Sequence, residues 1–507
     1  MLRQNVDLPT GRDTEGNTVL KRLALALLVS VLTWSCTLGP AYKRPDVQTP
    51  PAFRGADPAA PDAAASLADV QWFDLFHDPT LTQLVTAALA QNFDLRIAAE
   101  RVLQARAIVR ITRADQFPAV DGSADVVATR FSQTGANRAV PRGVDSDVTY
   151  TQAGFSLGWE LDVWGRLRRL SESARAQYFA TEEARRGIVT TLVGDVTETY
   201  LALRGLDLEL EIARRTRDSA IESLRLTETR RDRGVATNLD VRQAEQLLYT
   251  ASGQIASIER EVAQTENALS LLLGQFPGDV PRGLALEAFK APPTVPAGLP
   301  SALLERRPDI RQAEQELIAA NAQIGVAKAE YFPRISLTGF LGGQSRALSD
   351  LLTGSARIWT VGAGATVPIF NAGRTGANVR LAEAVQRELV VNYQRAIYTA
   401  FREVSDSLAG YRKTAEQRAE QERLVEALRA STQLSAQRYQ GGVDNYLQVL
   451  DAQRNLFQGE LDLARLRQLE LAAIVQLYRA LGGGWSEAAK TTAGLQSPTD
   501  RTTEEQR

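Results

Sequence analysis

From Gly165 to Gly234 the sequence contains no proline, which allows about 100 Å of uninterrupted α-helix at 1.5 Å per residue. That is far beyond the length of a globular helix. After Gly234 a return limb places apolar or small residues at Val241, Ala244, Leu248, Ala251, Ile255, Ile258, Val262, Thr265, Leu269 and Leu272, in steps that alternate between three and four. Such a heptad seam packs against a neighbouring helix as a left-handed coiled coil. The pattern predicts a long helical hairpin with its tip at Gly234 and Asn238 available near the start of the second helix.

The hairpin is written twice. "RDRGVATNLDVRQA" (231–244) has a counterpart in "YQGGVDNYLQVLDA" (439–452). Gly165-Arg166 aligns with Gly373-Arg374, Gly234 with Gly442, and Leu273-Gly274 with Leu481-Gly482, each 208 positions apart. The second seam keeps Val449, Ala452, Leu456, Leu463, Leu466, Ala473 and Leu477, and Asn445 stands ready near its start. Upstream, "NFDLRIAAERVLQARAIVRITRADQFP" (92–118) matches "RPDIRQAEQELIAANAQIGVAKAEYFP" (307–333), pairing Asp94 with Asp309 and Phe117-Pro118 with Phe332-Pro333. The chain reads as two copies of one unit.

Each unit opens on helix. In "HDPTLTQLVTAALAQN", Asp78 is placed to cap, Pro79 suits the first helical position, and Leu81, Leu84, Val85 and Ala88 form a stripe. The Phe-Pro pairs end this helical stretch, because proline removes a donor and pushes its predecessor out of helical geometry. The period then changes to two. Phe155, Leu157, Trp159 and Leu161 alternate within 151–163, and Val361, Ala363, Ala365 and Val367 within 359–370. Both read as strands, with weaker strand candidates at 120–131 and 335–343.

One cysteine, Cys36, and one histidine, His77, exclude disulfide frameworks, Cys/His zinc sites and Cys-His nucleophile pairs. Acidic and basic residues are interspersed at a formal net charge of −2, which argues against nucleic acid as a partner. No cofactor is implied. "LALALLVSVLTW" (23–34) follows Lys21-Arg22 and ends at Ser35-Cys36. It is short for a bilayer span and has the basic flank and apolar centre of an export signal. The expected divisions are an export signal (1–35), a Pro-rich N-terminal segment (36–70), a first repeat (71–276), a Pro-rich linker (277–298), a second repeat (299–484) and a polar, disordered tail (485–507).

Four half-apolar strands on such hairpins leave no element to cover them. A membrane barrel must close, and small ones need about eight strands, so four per chain implies oligomerisation. Three chains give twelve strands and two chains give eight; the trimer is the simpler ring once two similar units alternate around it.

"CTLGPAYKRP" (36–45), "WFDLFHDPTLTQLV" (72–85), "ELDVWGRLRR" (160–169), "LPSALLERRPDIRQAE" (299–314), "AKAEYFPRISLTG" (327–339) and "GGVDNYLQVLDAQRNLF" (441–457) together resemble the TolC-like outer-membrane efflux factor family, in its OprM/NodT-like lipoprotein branch. The resemblance spans nearly the whole exported chain. It implies a mainly α-helical protein with a membrane β-barrel: a homotrimer with twelve barrel strands continued by a periplasmic α-helical tunnel. It also implies a periplasmic adaptor and an RND-type inner-membrane transporter as partners, outer-membrane lipid around the barrel, and passage of small molecules outward. The protein-secretion branch of the same tunnels is the alternative, and a structural coiled-coil protein of the envelope is a second. Cys36 would become a lipidated N-terminus, although Leu32 stands one place early and Trp34 is bulky for such a cleavage site.

Leu447, Asp451 and Arg454 share one helical stripe, offset from the Val449, Ala452 and Leu456 seam. At equivalent places the first copy has Leu239, Gln243 and Gln246. By the resemblance, Leu447, Asp451 and Arg454 line the periplasmic aperture as apolar gate, carboxylate ring and helix-holding cation. Without it, Asp451 and Arg454 read as an ordinary solvated i, i+3 pair worth a few tenths of a kcal/mol. "GFSLG" (154–158) matches the nucleophile-elbow pattern around Ser156, but that motif needs a strand-to-helix turn and a histidine after the serine. His77 precedes it, so an enzyme is not expected.

Overall fold

The computed structural model describes residues 37–55, 66–70, 75–132, 147–290, 298 and 300–483. The expected export signal (1–35), Cys36 and the expected polar tail (485–507) lie outside the described residues. The helices are α1 (Pro79–Gln91), α2 (Phe93–Ala114), α3 (Arg166–Asp232), α4 (Asn238–Leu272), α5 (Pro300–Arg306), α6 (Pro308–Ala329), α7 (Arg374–Gln440) and α8 (Tyr446–Ala480). The strands are β1 (Ala119–Arg130), β2 (Asp147–Leu161), β3 (Arg334–Ser345) and β4 (Arg357–Thr366). The helices α3 and α7 are 67 residues each, and α4 and α8 are 35 each. None of the described helices is long and apolar enough to cross a membrane. The chain forms two compact units, and each draws on both halves of the sequence.

The first unit comprises the residues up to Arg44 with Gln104–Tyr178 and Gln315–Val390. Its centre is an antiparallel sheet in the order β1-β2-β3-β4. Alternation gives the sheet two unlike faces. Val120, Val126, Phe155, Leu157, Trp159, Leu337, Leu341, Trp359 and Val361 share one; Asp121, Ser123, Asp125, Gln152, Ser156, Ser336, Thr338 and Thr360 share the other. On the apolar face Val126, Phe155, Leu341, Trp359 and Val361 are exposed. The expected strands all form, with shifted ends. The last stops at Thr366 rather than 370 because Pro368 has no N–H to give a ladder. Ser156 lies inside β2 opposite Asp121 and Phe340, so it sits on no strand-to-helix turn.

Below the sheet, helix α2 ends three residues before Phe117-Pro118 and α6 three before Phe332-Pro333. The Trp164 ring stacks on Phe332 at 4.7 Å, and its Nε1 donates to the Pro333 carbonyl at 2.8 Å. Residues 37–40 are fastened here. Leu38 N–H donates to the Trp164 carbonyl, Arg169 Nε to the Leu38 carbonyl at 3.0 Å, and Asn321 Nδ2 to the Pro40 carbonyl at 3.0 Å. A Cβ on Gly39, whose φ is +100°, would lie 2.6 Å from the Gly325 Cα, so only two glycines permit this approach.

The second unit comprises Pro45–Leu103, Phe179–Glu314 and the chain from Val391. Helix α1 starts as expected: Asp78 accepts from the Thr80 and Leu81 N–H groups, with Pro79 at the first position. His77, exposed at a φ of +52°, stands just outside this cap. Helices α3, α4 and α8 share a core of Ile212, Ala213, Ala251, Ile255, Ile258, Phe457, Leu461 and Ala464. At equal length α8 buries 20 residues and α4 only eight, so α8 is enclosed by its neighbours while α4 keeps a free face.

Candidate gate at the hairpin tips

Both hairpins turn within the second unit. Helix α3 ends at Asp232, Gly234 takes a φ of +69°, and the Val235 and Ala236 N–H groups return to the Arg230 carbonyl. In the second hairpin Gly442 takes a φ of +75° and Val443 N–H returns to Arg438. Nothing stands within 4 Å of a Cβ at either glycine, so the left-handed backbone alone calls for glycine. The restarts differ. Asn445 caps α8 by accepting from Gln448 N–H, whereas Asn238 is already helical and Thr237 caps α4 in a reciprocal box with Asp240. A hydroxyl plus a carboxylate three residues on satisfies two backbone donors where an asparagine satisfies one.

The tips share a core. Ala220, Ala244 and Leu247 of the first hairpin pack with Tyr439, Tyr446, Val449 and Leu450 of the second. Leu247 therefore takes the buried place that the heptad reading gave to Leu248, which is half-buried beside it. The Tyr439 and Tyr446 rings meet edge-on at 5.4 Å, and the Arg230 guanidinium lies 4.5 Å from the Tyr439 ring centre. Burial pushes the Tyr446 hydroxyl up to about 12, with smaller pushes from Tyr439 and Asp240. Across the second tip Arg438 Nε donates to Asp444 at 2.6 Å, and that hydrogen bond holds the Asp444 carboxyl below its usual range.

Leu447, Asp451 and Arg454 all lie exposed on α8. Their partners differ from the solvated-pair reading: Asp451 accepts from Asn455 Nδ2 at 3.2 Å, and Arg454 Nη2 donates to Gln246 Oε1 at 2.8 Å. Gln246 is the residue 208 positions earlier, so the bond joins the two hairpins at equivalent places. Leu239 is also exposed. Sequence reasoning missed Glu460, a buried carboxylate of α8 that accepts from Arg215 of α3 at 2.7 Å and from Arg429 of α7 at 2.7 Å. The signal was a gap: the heptad position between Leu456 and Leu463 holds Gly459, with Glu460 beside it, while Phe457 and Leu461 flank them in the core.

The family model described as "Outer membrane efflux protein" matches residues 84–275 and again 299–483. The solvent efflux pump outer membrane protein SrpC of Pseudomonas putida is 42% identical over 92% of this chain and 99% of its own. The cation efflux system protein CusC of Escherichia coli O6:H1 is 36% identical over 91% and 99%. The solved outer-membrane channel OprN superposes with a TM-score of 0.82 at 34% identity, over 89% of this chain and 100% of that one. The chain belongs to the outer membrane efflux protein family, and its place is the outer membrane.

Proposed function

We propose that this outer-membrane efflux protein works as a homotrimeric, passive tunnel of a tripartite pump. It takes small toxic compounds from an RND-type inner-membrane transporter and a periplasmic adaptor and releases them outside. The carrying observation is the sheet. It has two edges, β1 and β4, unpaired among the described residues, an exposed apolar face, and an opposite face on which Asp, Ser, Gln and Thr stand among Val127, Tyr150, Phe340 and Ile358. An edge left open in lipid is untenable, because backbone groups there have no water to bond. Three copies supply twelve strands, with the apolar face toward lipid and the polar face toward an aqueous lumen. Two repeats per chain, supported by the double family match, then alternate around the ring. Cys36 adds a lipid anchor at each N-terminus.

Leu447, Asp451 and Arg454 form the periplasmic gate in this reading: leucines ring the axis, carboxylates select cations, and the Arg454–Gln246 bond ties the hairpins in the closed state. Relatives are named for solvent, toluene, antibiotic and cation efflux; the cargo class here is small molecules of that kind. Planar-bilayer conductance tests the proposal. Leu447→Ala should enlarge the resting conductance, and Asp451→Ala should weaken cation preference and block by multivalent cations. Wild-type conductance and selectivity in both variants would remove the gate from this stripe. A chain that forms no pore would remove the tunnel.

A further inference from the structure

We infer that β4 of one copy pairs with β1 of the next in a single register, in which the numbers of opposed residues sum to 489. This rests on the closed-ring reading above and adds what that reading leaves open, namely which residues meet at the seam. The ground for it is an internal rule of the sheet. Opposed residues of β1 and β2 have numbers that sum to 277, and those of β3 and β4 sum to 700. β3 (334–345) is β1 (119–130) moved by 215 positions, with equal length. Moving β1 by 215 and β2 by the hairpin offset of 208 converts the first register into the second with no remainder. The two β-hairpins thus share one register, although β2 is longer than β4.

A ring built from such hairpins has two kinds of seam. One lies within the chain, between β2 and β3, where opposed numbers sum to 496. The other joins β4 to β1 of the partner subunit. Applying the same two offsets to the first seam gives 489 for the second. Ala363 then opposes Val126 of the partner subunit, Val361 opposes Ala128 of the partner subunit, and Thr360 opposes Thr129 of the partner subunit. The ladder covers Trp359–Thr366 and ends near Pro368, which has no donor.

A second observation checks the parity. In the three pairings present, apolar-face residues always stand opposite apolar-face residues. The register of 489 extends that face across the seam, whereas a slip of one residue would turn Val361 and Ala363 against Thr129 and Val127, or against Val127 and Asp125, all on the other face. A slip of two keeps the faces, and only the repeat rule excludes it.

Disulfide cross-linking in the full-length protein, purified in mild detergent, tests the register. The wild-type chain, with Cys36 alone, gives the baseline. Ala363→Cys with Val126→Cys should yield covalent dimers and trimers on oxidation. Ala363→Cys with Ala124→Cys or with Ala128→Cys should yield few. The equivalent in-chain pair, Phe155→Cys with Leu341→Cys, should close within one chain and report that this position has disulfide geometry. A ladder from the Ala124 or Ala128 combination in place of the Val126 one overturns the register while leaving the ring intact. No inter-chain bond from any combination, in a protein that still runs as a trimer, overturns the seam itself. A conducting monomer would instead overturn the closed ring on which the inference rests.

Discussion

Asp78 does more than begin a helix. Its Oδ1 accepts from Thr80 N–H at 2.8 Å and Leu81 N–H at 3.4 Å, while Oδ2 accepts from the Tyr200 hydroxyl at 3.0 Å and Leu284 N–H at 3.1 Å. The carboxylate is buried, and it ties α1, α3 and the inter-repeat segment into one knot. Asp78→Ala removes a cap worth about 1 kcal/mol, strands the buried Tyr200 hydroxyl at about 1–3 kcal/mol and leaves the part-buried Leu284 N–H without its acceptor at a smaller cost. Release of a desolvated carboxylate offsets part, leaving a net loss of roughly 3 kcal/mol. Asp78→Asn keeps the cap but turns an amide toward the Leu284 donor, for about half that cost. Burial pushes the Tyr200 hydroxyl up to about 12, so it remains a donor throughout the neutral range. Hydrogen exchange followed by mass spectrometry reads the local opening of peptides from 79–91 and 284–290. Their exchange should accelerate about 150-fold in the alanine variant and about tenfold in the asparagine variant, with β1–β4 unchanged. Equal acceleration in the two variants, or none in either, would refute the division of labour between Oδ1 and Oδ2.

A Cβ at Gly325 would lie 2.5 Å from the Leu38 carbonyl oxygen. Gly325→Ala should therefore lift residues 37–40 at an overpacking cost of about 1–3 kcal/mol, raising tryptic cleavage after Lys43 by tenfold or more on the mass readout. The lowered Asp444 carboxyl gives the second tip a stabilisation that is present above the ordinary carboxylate range and is lost as pH falls through the folded value. Exchange at Gly441–Asn445 should show no Arg438–Asp444 contribution to its pH dependence from pH 8 to 5, and an Asp444→Asn variant should differ from wild type there but converge with it once pH falls below the folded value of Asp444. Mass analysis of the mature N-terminus should give Cys36 carrying acyl chains; an unmodified Cys36 or a start downstream of it would remove the anchor.

The sequence made the hairpins legible because 208-residue spacing, proline-free limbs and a 3.5-residue period are all local signals. It could not choose between Leu247 and Leu248. Both are leucines, and the choice depends on Tyr446 and Leu450 arriving from the other hairpin. The same ignorance of partners hid the difference between α4 and α8. Their apolar seams are alike, but only α8 is surrounded, and Glu460 is tolerable there because Arg215 and Arg429 reach it from two sides. Strand existence followed from period two, and strand ends did not, since β4 stops where Pro368 breaks the ladder. At the proposed gate, the common face of Leu447, Asp451 and Arg454 was readable from helical spacing. The preference of Arg454 for Gln246 over Asp451 was not, because it requires the two hairpins side by side.

The β2–β3 pairing also sets an order of events during synthesis. β1 and β2 join residues 17 to 39 positions apart, but β2 and β3 join residues 174 to 194 apart. Closing the longer loop from a random chain costs about 2 kcal/mol more in entropy, and contacts so distant form slowly. Helices α3 and α4 fold back on themselves and shorten that search, so the helical hairpin forms before the two β-ribbons meet. Until then each ribbon carries bare edges and an apolar face, the combination most prone to aggregate. The newly exported chain is thus most exposed to aggregation in the interval before β2 meets β3.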